Sequence, residues 1–97
     1  MHAAALRFEM RVPAVQSLKD KRRVIKAIMA ELQEAFPVAV AEVDRQDVWQ
    51  RATIGVAVVA SGHAQLEQVI AAVHRRMLDR LDAELVELGV AYLEEEL

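Results

Sequence analysis

The stretch from Val38 to Ala60 reads VAVAEVDRQDVWQRATIGVAVVA. Its two ends, Val38 to Val43 and Ala52 to Ala60, are rich in β-branched residues and short enough to be strands. The segment between them, Asp44 to Gln50, is mostly polar and has the composition of a connecting loop. The centre of the chain is therefore predicted to be a β-hairpin with a long loop.

A helix is predicted directly before this hairpin. Apolar residues recur at helical spacing from Leu18 to Phe36. Pro37 ends the pattern, because the residue before a proline disfavours the α region. Ser17 with Asp20 three positions later forms an N-terminal capping pair, although Glu or Gln is the commoner partner of Ser in such a pair. We therefore expect the helix to begin at Leu18.

A second helix and two outer strands complete the pattern. Ser61 and Gly62 break the strand pattern, and apolar residues then recur at helical spacing from Leu66 to Leu81. The segment from His2 to Val12 alternates between apolar and polar positions as a half-buried strand does, and a last strand is expected from about Glu84 to Leu93. Gly89 is the expected position of a bulge in that strand, because the alternation shifts phase beyond it.

The order β-α-β-β-α-β is the split βαβ arrangement of ferredoxin-like α+β domains, with a four-stranded antiparallel sheet and both helices on one face. Residues 1–97 are predicted to form one such domain. The first and third strands are then central, and on the outer sheet face Ala3, Ala5 and Arg7 would meet small or apolar partners. The absence of aromatic residues there argues against the base stacking of RNA-recognition motifs. So apolar an outer face predicts a homodimer formed through the sheet face or a sheet edge.

Composition excludes several classes of protein. The 97 residues include no cysteine, which removes disulfides, thiolate nucleophiles and thiolate metal sites. Neither a signal peptide nor an apolar run of membrane-spanning length is visible, so we expect a cytoplasmic protein without membrane contact. The net charge of −3 conceals a local excess of positive charge. The segment from Ser17 to Lys26 carries +4, which leaves −7 for the remainder.

This basic run occupies the opening turns of the first predicted helix, where the helix dipole disfavours cations. Lys21 falls nearer the apolar side, and we expect it to reach solvent because it lies in the first turn. The other four share one outward face, which we call the basic face: Lys19, Arg22, Arg23 and Lys26. This face is either a solvated surface or a surface that binds the phosphates of structured RNA, in ribosomal RNA or a ribosomal subunit.

The hairpin loop is a second candidate site, for which five residues are named: Asp44, Gln46, Asp47, Trp49 and Arg51. In one interpretation Trp49 packs over the edge of the core, while Asp44, Asp47 and Arg51 exchange hydrogen bonds. In the other, the loop is a recognition loop in which an exposed Trp49 stacks on a base or anchors a partner.

No constellation of catalytic or metal-binding residues is apparent. Glu42 and Asp44 share a strand face, but nearby arginines are expected to neutralise them. His63 and His74 are separated by three helical turns and His2 is terminal, so the histidines are expected at the surface or its boundary. We therefore expect no metal, no cofactor and no enzymatic activity. The residues from Glu94 to Glu96 are expected to form a solvated tail.

Two segments of the chain, SLKDKRR from Ser17 to Arg23 and AEVDRQDVWQRATIGVAVV from Ala41 to Val59, closely resemble signature stretches of the YlxP-like family of small bacterial proteins. The similarity covers essentially the whole chain. It implies a ferredoxin-like fold and a bacterial cytoplasmic protein, whose gene in many genomes lies among genes for transcription elongation, translation initiation and ribosome maturation. The resemblance implies no established activity, and no catalytic residue follows from it.

The leading hypothesis from the sequence is a non-catalytic binding module associated with RNA or the ribosome through the basic face. The alternative is a homo-oligomeric regulatory or scaffold module that has no nucleic-acid contact.

Overall fold

The computed structural model describes residues 1–95 and has six elements in the predicted order. Their bounds are β1 His2–Arg11, α1 Leu18–Ala35, β2 Val38–Asp44, β3 Arg51–Ala60, α2 His63–Leu78 and β4 Glu84–Glu94. The strands form one antiparallel sheet in the order β2-β3-β1-β4. The predicted ferredoxin-like α+β fold is confirmed.

The first helix begins and ends where the sequence indicated. Ser17 has an extended backbone, and its hydroxyl accepts a hydrogen bond from the Asp20 N–H at 3.1 Å, which satisfies one of the free donors of the first turn. At the other end Phe36 also adopts an extended conformation before Pro37.

The core lies between the sheet and the two helices. Alternate residues of β1, from Ala4 to Met10, and of β3, from Ala52 to Ala60, are buried beneath the helices. The helices contribute one stripe each: Ile25, Ile28 and Leu32 from α1, and Leu66, Ile70, Val73 and Met77 from α2. Burial of these apolar side chains supplies the main driving force for the fold.

The outer sheet face carries the residues of the two central strands that the sequence placed there. Ala3 lies opposite Val59, Ala5 opposite Ala57 and Arg7 opposite Gly55. This register confirms that the two central strands present small apolar residues on the side away from the helices.

Two details of the sequence-based prediction are wrong. The second helix ends at Leu78, and Leu81 is fully exposed in the following loop. Gly89 pairs regularly with Arg7, whereas the shift of register against β1 lies between Glu9 and Met10, where Val86 is the extra residue. The apolar spacing of α2 continues to Leu81 although the helix has already ended. In β4, the change of phase in the apolar pattern at Gly89 does not mark the residue at which the pairing with β1 shifts.

Candidate functional site

The basic face is exposed along the first half of α1. All four of its side chains project into solvent, on the side of the helix opposite to the buried stripe. The helix geometry therefore presents Lys19, Arg22, Arg23 and Lys26 together, as the sequence predicted. Whether this face binds an anion stays a prediction.

The basic face differs from most other cations of the protein in its pairing. Within residues 1–95, none of its four side chains has a carboxylate oxygen within 4.0 Å. Six other basic side chains do have one: Arg7, Arg11, Lys21, Arg45, Arg76 and Arg80. The positive charge of the basic face is therefore not neutralised by a neighbouring carboxylate, and it remains available to an external anion.

Lys21 is buried, and the expectation that it reaches solvent is wrong. Its side chain is 1% exposed, and its ammonium group donates a hydrogen bond to the carbonyl oxygen of Arg45 at 2.6 Å. The same ammonium lies 2.9 Å from Glu42 Oε2, in a geometry too bent for a hydrogen bond. A buried cation requires such a counter-charge, because desolvation of an isolated ammonium is very costly. Lys21 thus belongs to the framework and not to the basic face.

Arg45 connects the two layers of the protein at this end of the sheet. Its backbone has φ 61°, a left-handed conformation that is unfavourable for a residue other than glycine. The conformation is supported by the Asp44 carboxylate, which accepts a hydrogen bond from the Arg45 N–H at 2.8 Å. While the Arg45 carbonyl accepts from Lys21 on the helix side, its guanidinium donates to Glu9 on the outer side at 3.1 Å.

Glu9 is the centre of a polar cluster on the outer sheet face. The fully buried Thr53 hydroxyl donates to its carboxylate at 2.9 Å, and Arg7 donates at 3.1 Å. Burial by itself would raise the pKa of Glu9, but the hydrogen bonds from Thr53, Arg45 and Arg7 outweigh it, and the pKa lies below its ordinary value. The sequence analysis did not single out Glu9, which alternates with Arg7 and Arg11 on the outward face of β1 and gave no local signal of burial.

Four of the five loop candidates are exposed and only partly hydrogen-bonded, whereas Arg51, the first residue of β3, is half-buried. Asp44 accepts hydrogen bonds from Arg45 and Arg7, and Gln46 donates to the carbonyl of Glu42 at 3.3 Å. In the described part of the chain, Asp47 and Arg51 make no side-chain hydrogen bond. The predicted exchange of hydrogen bonds is therefore confirmed for Asp44 alone.

Trp49 is 41% exposed, so one part of its ring system remains accessible to solvent. The segment that carries it is tied to β1 by a hydrogen bond from the Val12 N–H to the Gln50 carbonyl at 2.9 Å. An exposed indole on an anchored loop is compatible with the recognition-loop hypothesis, which stays a prediction.

The loop and the basic face lie at the same end of the molecule. Lys21, which bonds to the first residue of the loop, shares its helical turn with Arg22 and Arg23. The two segments whose sequences resemble family signatures thus meet in space through Lys21, Glu42 and Arg45.

A second polar cluster was missed by the sequence analysis. His2, His63 and Glu94 come together at the opposite end of the sheet, and one potential ligand atom from each lies within 4.8 Å of the other two. His2 and His63 lie at the surface or its boundary as expected, but they lie beside each other, and Glu94 belongs to β4 and not to a free tail. The predicted tail continues to Glu96, which lies outside the described residues. In the sequence, only the predicted topology indicated that His2 and Glu94 lie close together, because it places the start of β1 beside the end of β4.

Comparison with known proteins identifies the family. A family described as "Protein of unknown function (DUF503)" matches residues 3–90 of the chain. The chain belongs to this family. It is also 44% identical over 52 residues to the "Uncharacterized protein YlxP" of Bacillus subtilis (strain 168), which confirms the predicted YlxP-like relationship. That alignment covers 54% of this chain and 56% of the relative, so the chain is matched over about half of the relative's length.

Neither helix within residues 1–95 is both long enough and apolar enough to cross a membrane.

Proposed function

We propose that this DUF503 protein is a non-catalytic cytoplasmic module that binds structured RNA, in ribosomal RNA or a ribosomal subunit, through the basic face of α1. The observation that carries the proposal is the exposure of Lys19, Arg22, Arg23 and Lys26 without a carboxylate partner among the described residues. Phosphate contacts of this kind supply affinity that does not depend on base sequence.

The energetic cost of this arrangement supports a functional role. The helix dipole acts within the first turn, where Lys19 is the one member of the basic face, and disfavours a cation there by about 0.3–1 kcal/mol. Arg22 and Lys26, like Lys19 and Arg23, are like charges four residues apart, and each such pair destabilises a helix by about 0.2–0.5 kcal/mol. Stability alone therefore does not account for their clustering.

The adjacent loop extends the proposed surface. Lys21 holds the loop against the first turns of α1, and Trp49 offers an accessible ring within it. Proteins that recognise single-stranded RNA commonly combine two kinds of contact: cations contact the phosphates, and a neighbouring aromatic ring stacks on an unpaired base. Asp44, Gln46, Asp47 and Arg51 would form the polar surroundings of that ring.

The test is titration of structured ribosomal RNA fragments over a range of salt concentrations, together with co-sedimentation with ribosomal subunits. Four phosphate contacts predict a slope of log K against log salt of about −3 to −4. Reversal of three charges, by Arg22→Glu, Arg23→Glu and Lys26→Glu, is expected to reduce affinity by more than about tenfold at low salt.

A matched control is available on α2. Arg75 is exposed and has no carboxylate partner within the described residues, but it lies in the last turn of the other helix. Arg75→Glu changes the net charge as Arg23→Glu does and should leave RNA binding nearly unchanged. Equal losses for the two single variants would indicate bulk charge, and unchanged binding by the triple variant would refute the proposal.

The outer sheet face favours a second candidate function, a homodimeric scaffold. This face is a shallow apolar surface of small residues, with Val59 and Leu93 more than half exposed. Ala57 lies at its centre, between Ala5 and Ala39. A contiguous apolar face of this kind is unusual on a monomer.

Light scattering at increasing protein concentration tests the dimer. Ala57→Arg places a charge in the middle of the face and should give a monomer if the face is the interface. A wild-type protein that stays monomeric at high concentration would rule out this candidate. The dimer and the RNA complex are compatible, because the basic face lies on the opposite side of the sheet and would be present twice in a dimer.

A further inference from the structure

The cluster of His2, His63 and Glu94 is built from three separate elements. His2 is the first residue of β1 and lies directly opposite Glu94 near the end of β4. His63 is the first residue of α2, which packs on the inner face of the sheet, the face toward which the His2 side chain points. Residues distant in sequence thus direct two imidazoles and one carboxylate to one point.

The spacing of the ligand atoms suits a small divalent cation. Glu94 Oε1 lies 3.3 Å from His63 Nδ1 and 3.7 Å from His2 Nδ1. Bonds of about 2.0–2.1 Å in a tetrahedral zinc site place neighbouring ligand atoms about 3.3 Å apart. The third edge, between one imidazole nitrogen of His2 and one of His63, is at most 4.8 Å, so coordination requires these two side chains to draw together by up to about 1.5 Å.

The state of His2 Nδ1 is a separate observation that points to a ligand. This nitrogen is buried, and within the described residues it has no hydrogen-bond partner. At 3.7 Å, the Glu94 carboxylate is too distant to provide one. A buried polar atom without a partner is unfavourable, and a coordinated metal ion would satisfy it.

A further carboxylate, that of Glu67, lies near the second ring nitrogen of His63, the one that does not face Glu94. Its Nε2 lies 3.8 Å from Glu67 Oε1, while its Nδ1 faces Glu94. Histidine ligands commonly donate the N–H of their second ring nitrogen to a carboxylate, which fixes the orientation of the ring. The two carboxylates offset the positive end of the α2 dipole beside the site.

From this geometry we infer that His2, His63 and Glu94 bind one divalent transition-metal ion of the zinc class, with Glu67 as a positioning residue for His63. Imidazole nitrogen and carboxylate oxygen are both favourable zinc ligands, and a water molecule would occupy the fourth position. The site connects the start of β1, the end of β4 and the start of α2. Its side chains are 27%, 57% and 56% exposed, so an ion can enter from solvent.

The experiment uses the full chain without an affinity tag, after treatment with a chelator. Titration with Zn²⁺ by calorimetry should show one equivalent bound, and Co²⁺ should give the visible absorption of a tetrahedral nitrogen and oxygen site. His63→Ala and Glu94→Gln should each weaken binding by more than about 100-fold, and Glu67→Gln by about tenfold. His63 and Glu94 are more than half exposed, so neither variant should unfold the protein.

His74 provides the matched control, because it is the third histidine of the chain and lies outside the cluster on α2. His74→Ala should bind Zn²⁺ as the wild type does. A wild type that binds no Zn²⁺, or a His63→Ala variant that binds it with unchanged affinity, would overturn the inference. Loss of binding in His74→Ala alone would also overturn it, since it would place the ion elsewhere.

Discussion

The burial of Lys21 leads to a quantitative prediction for Lys21→Met, which keeps the length of the side chain and removes its charge. The substitution leaves Glu42, whose side chain is 17% exposed, without its counter-ion and removes a hydrogen bond to the Arg45 carbonyl. Breaking a buried pair by removal of one partner costs about 3–5 kcal/mol. Because Glu42 keeps some contact with water and Arg45 keeps a hydrogen bond from Val48, we expect the lower end, about 3 kcal/mol. For a domain of this size that corresponds to a fall in Tm of about 15 °C.

Urea unfolding provides the assay, with two signals. Far-UV circular dichroism reports on the whole fold, and fluorescence of Trp49, the single tryptophan, reports on the loop. Lys26→Met is the matched control, because it makes the same change at an exposed position of the same helix and should alter stability by no more than about 0.5 kcal/mol.

A double variant distinguishes the stability lost by breaking the ion pair of Lys21 and Glu42 from the stability lost by changed side-chain packing. If the loss comes from an unpaired carboxylate, Lys21→Met combined with Glu42→Leu should recover most of the stability. Equal stability of Lys21→Met and Lys26→Met would refute the reasoning, and so would a double variant that is no more stable than Lys21→Met.

Two further predictions concern the outer sheet face. Because the pKa of Glu9 is lowered in the folded protein, the ionised carboxylate stabilises the fold above the ordinary glutamate pKa, and this stabilisation is lost as pH falls through the lowered pKa. Glu9→Gln should therefore be less stable than wild type at about pH 7, and the difference should shrink below about pH 4. A difference in urea midpoints that does not change with pH would contradict this. A Cβ at Gly55 would lie 2.8 Å from Val43 Cγ1, whereas a Cβ at Gly89 would make only ordinary contacts. Urea unfolding should therefore show that Gly55→Ala is less stable than Gly89→Ala by about 1 kcal/mol. Equal stabilities of the two variants would show that Val43 moves aside freely.

Local patterns in the sequence were sufficient for the fold. Alternation in β1, helical spacing in α1 and the Ser17 cap are all consequences of interactions within a few residues of the chain, and the structure confirms them. The outward-facing residues of the two central strands were also predictable, because a shift of register by one residue would turn the buried apolar side chains to the outer face, whereas the exact pairs were not, because a shift by two residues keeps the same faces.

Interactions between distant residues could not be predicted in the same way. Helical spacing placed Lys21 near the apolar side, but its partners Glu42 and Arg45 lie more than twenty residues away, so the local pattern gave no reason for its burial. His2 and His63 approach each other only after the sheet and α2 have formed. The basic face was predictable because its members share one helix, whereas both polar clusters depend on tertiary structure.

The pairing of β1 with β4 has a practical consequence for work with this protein. Met1 and Glu95 exchange hydrogen bonds in both directions, at 3.0 and 3.2 Å, so the start of the chain lies against the end of the last strand. Any extension fused before Met1 therefore emerges beside His2, His63 and Glu94. A polyhistidine tag at this position would bring competing imidazoles next to the cluster and simulate metal binding, and a bulky fusion partner would hinder access to the cluster from solvent.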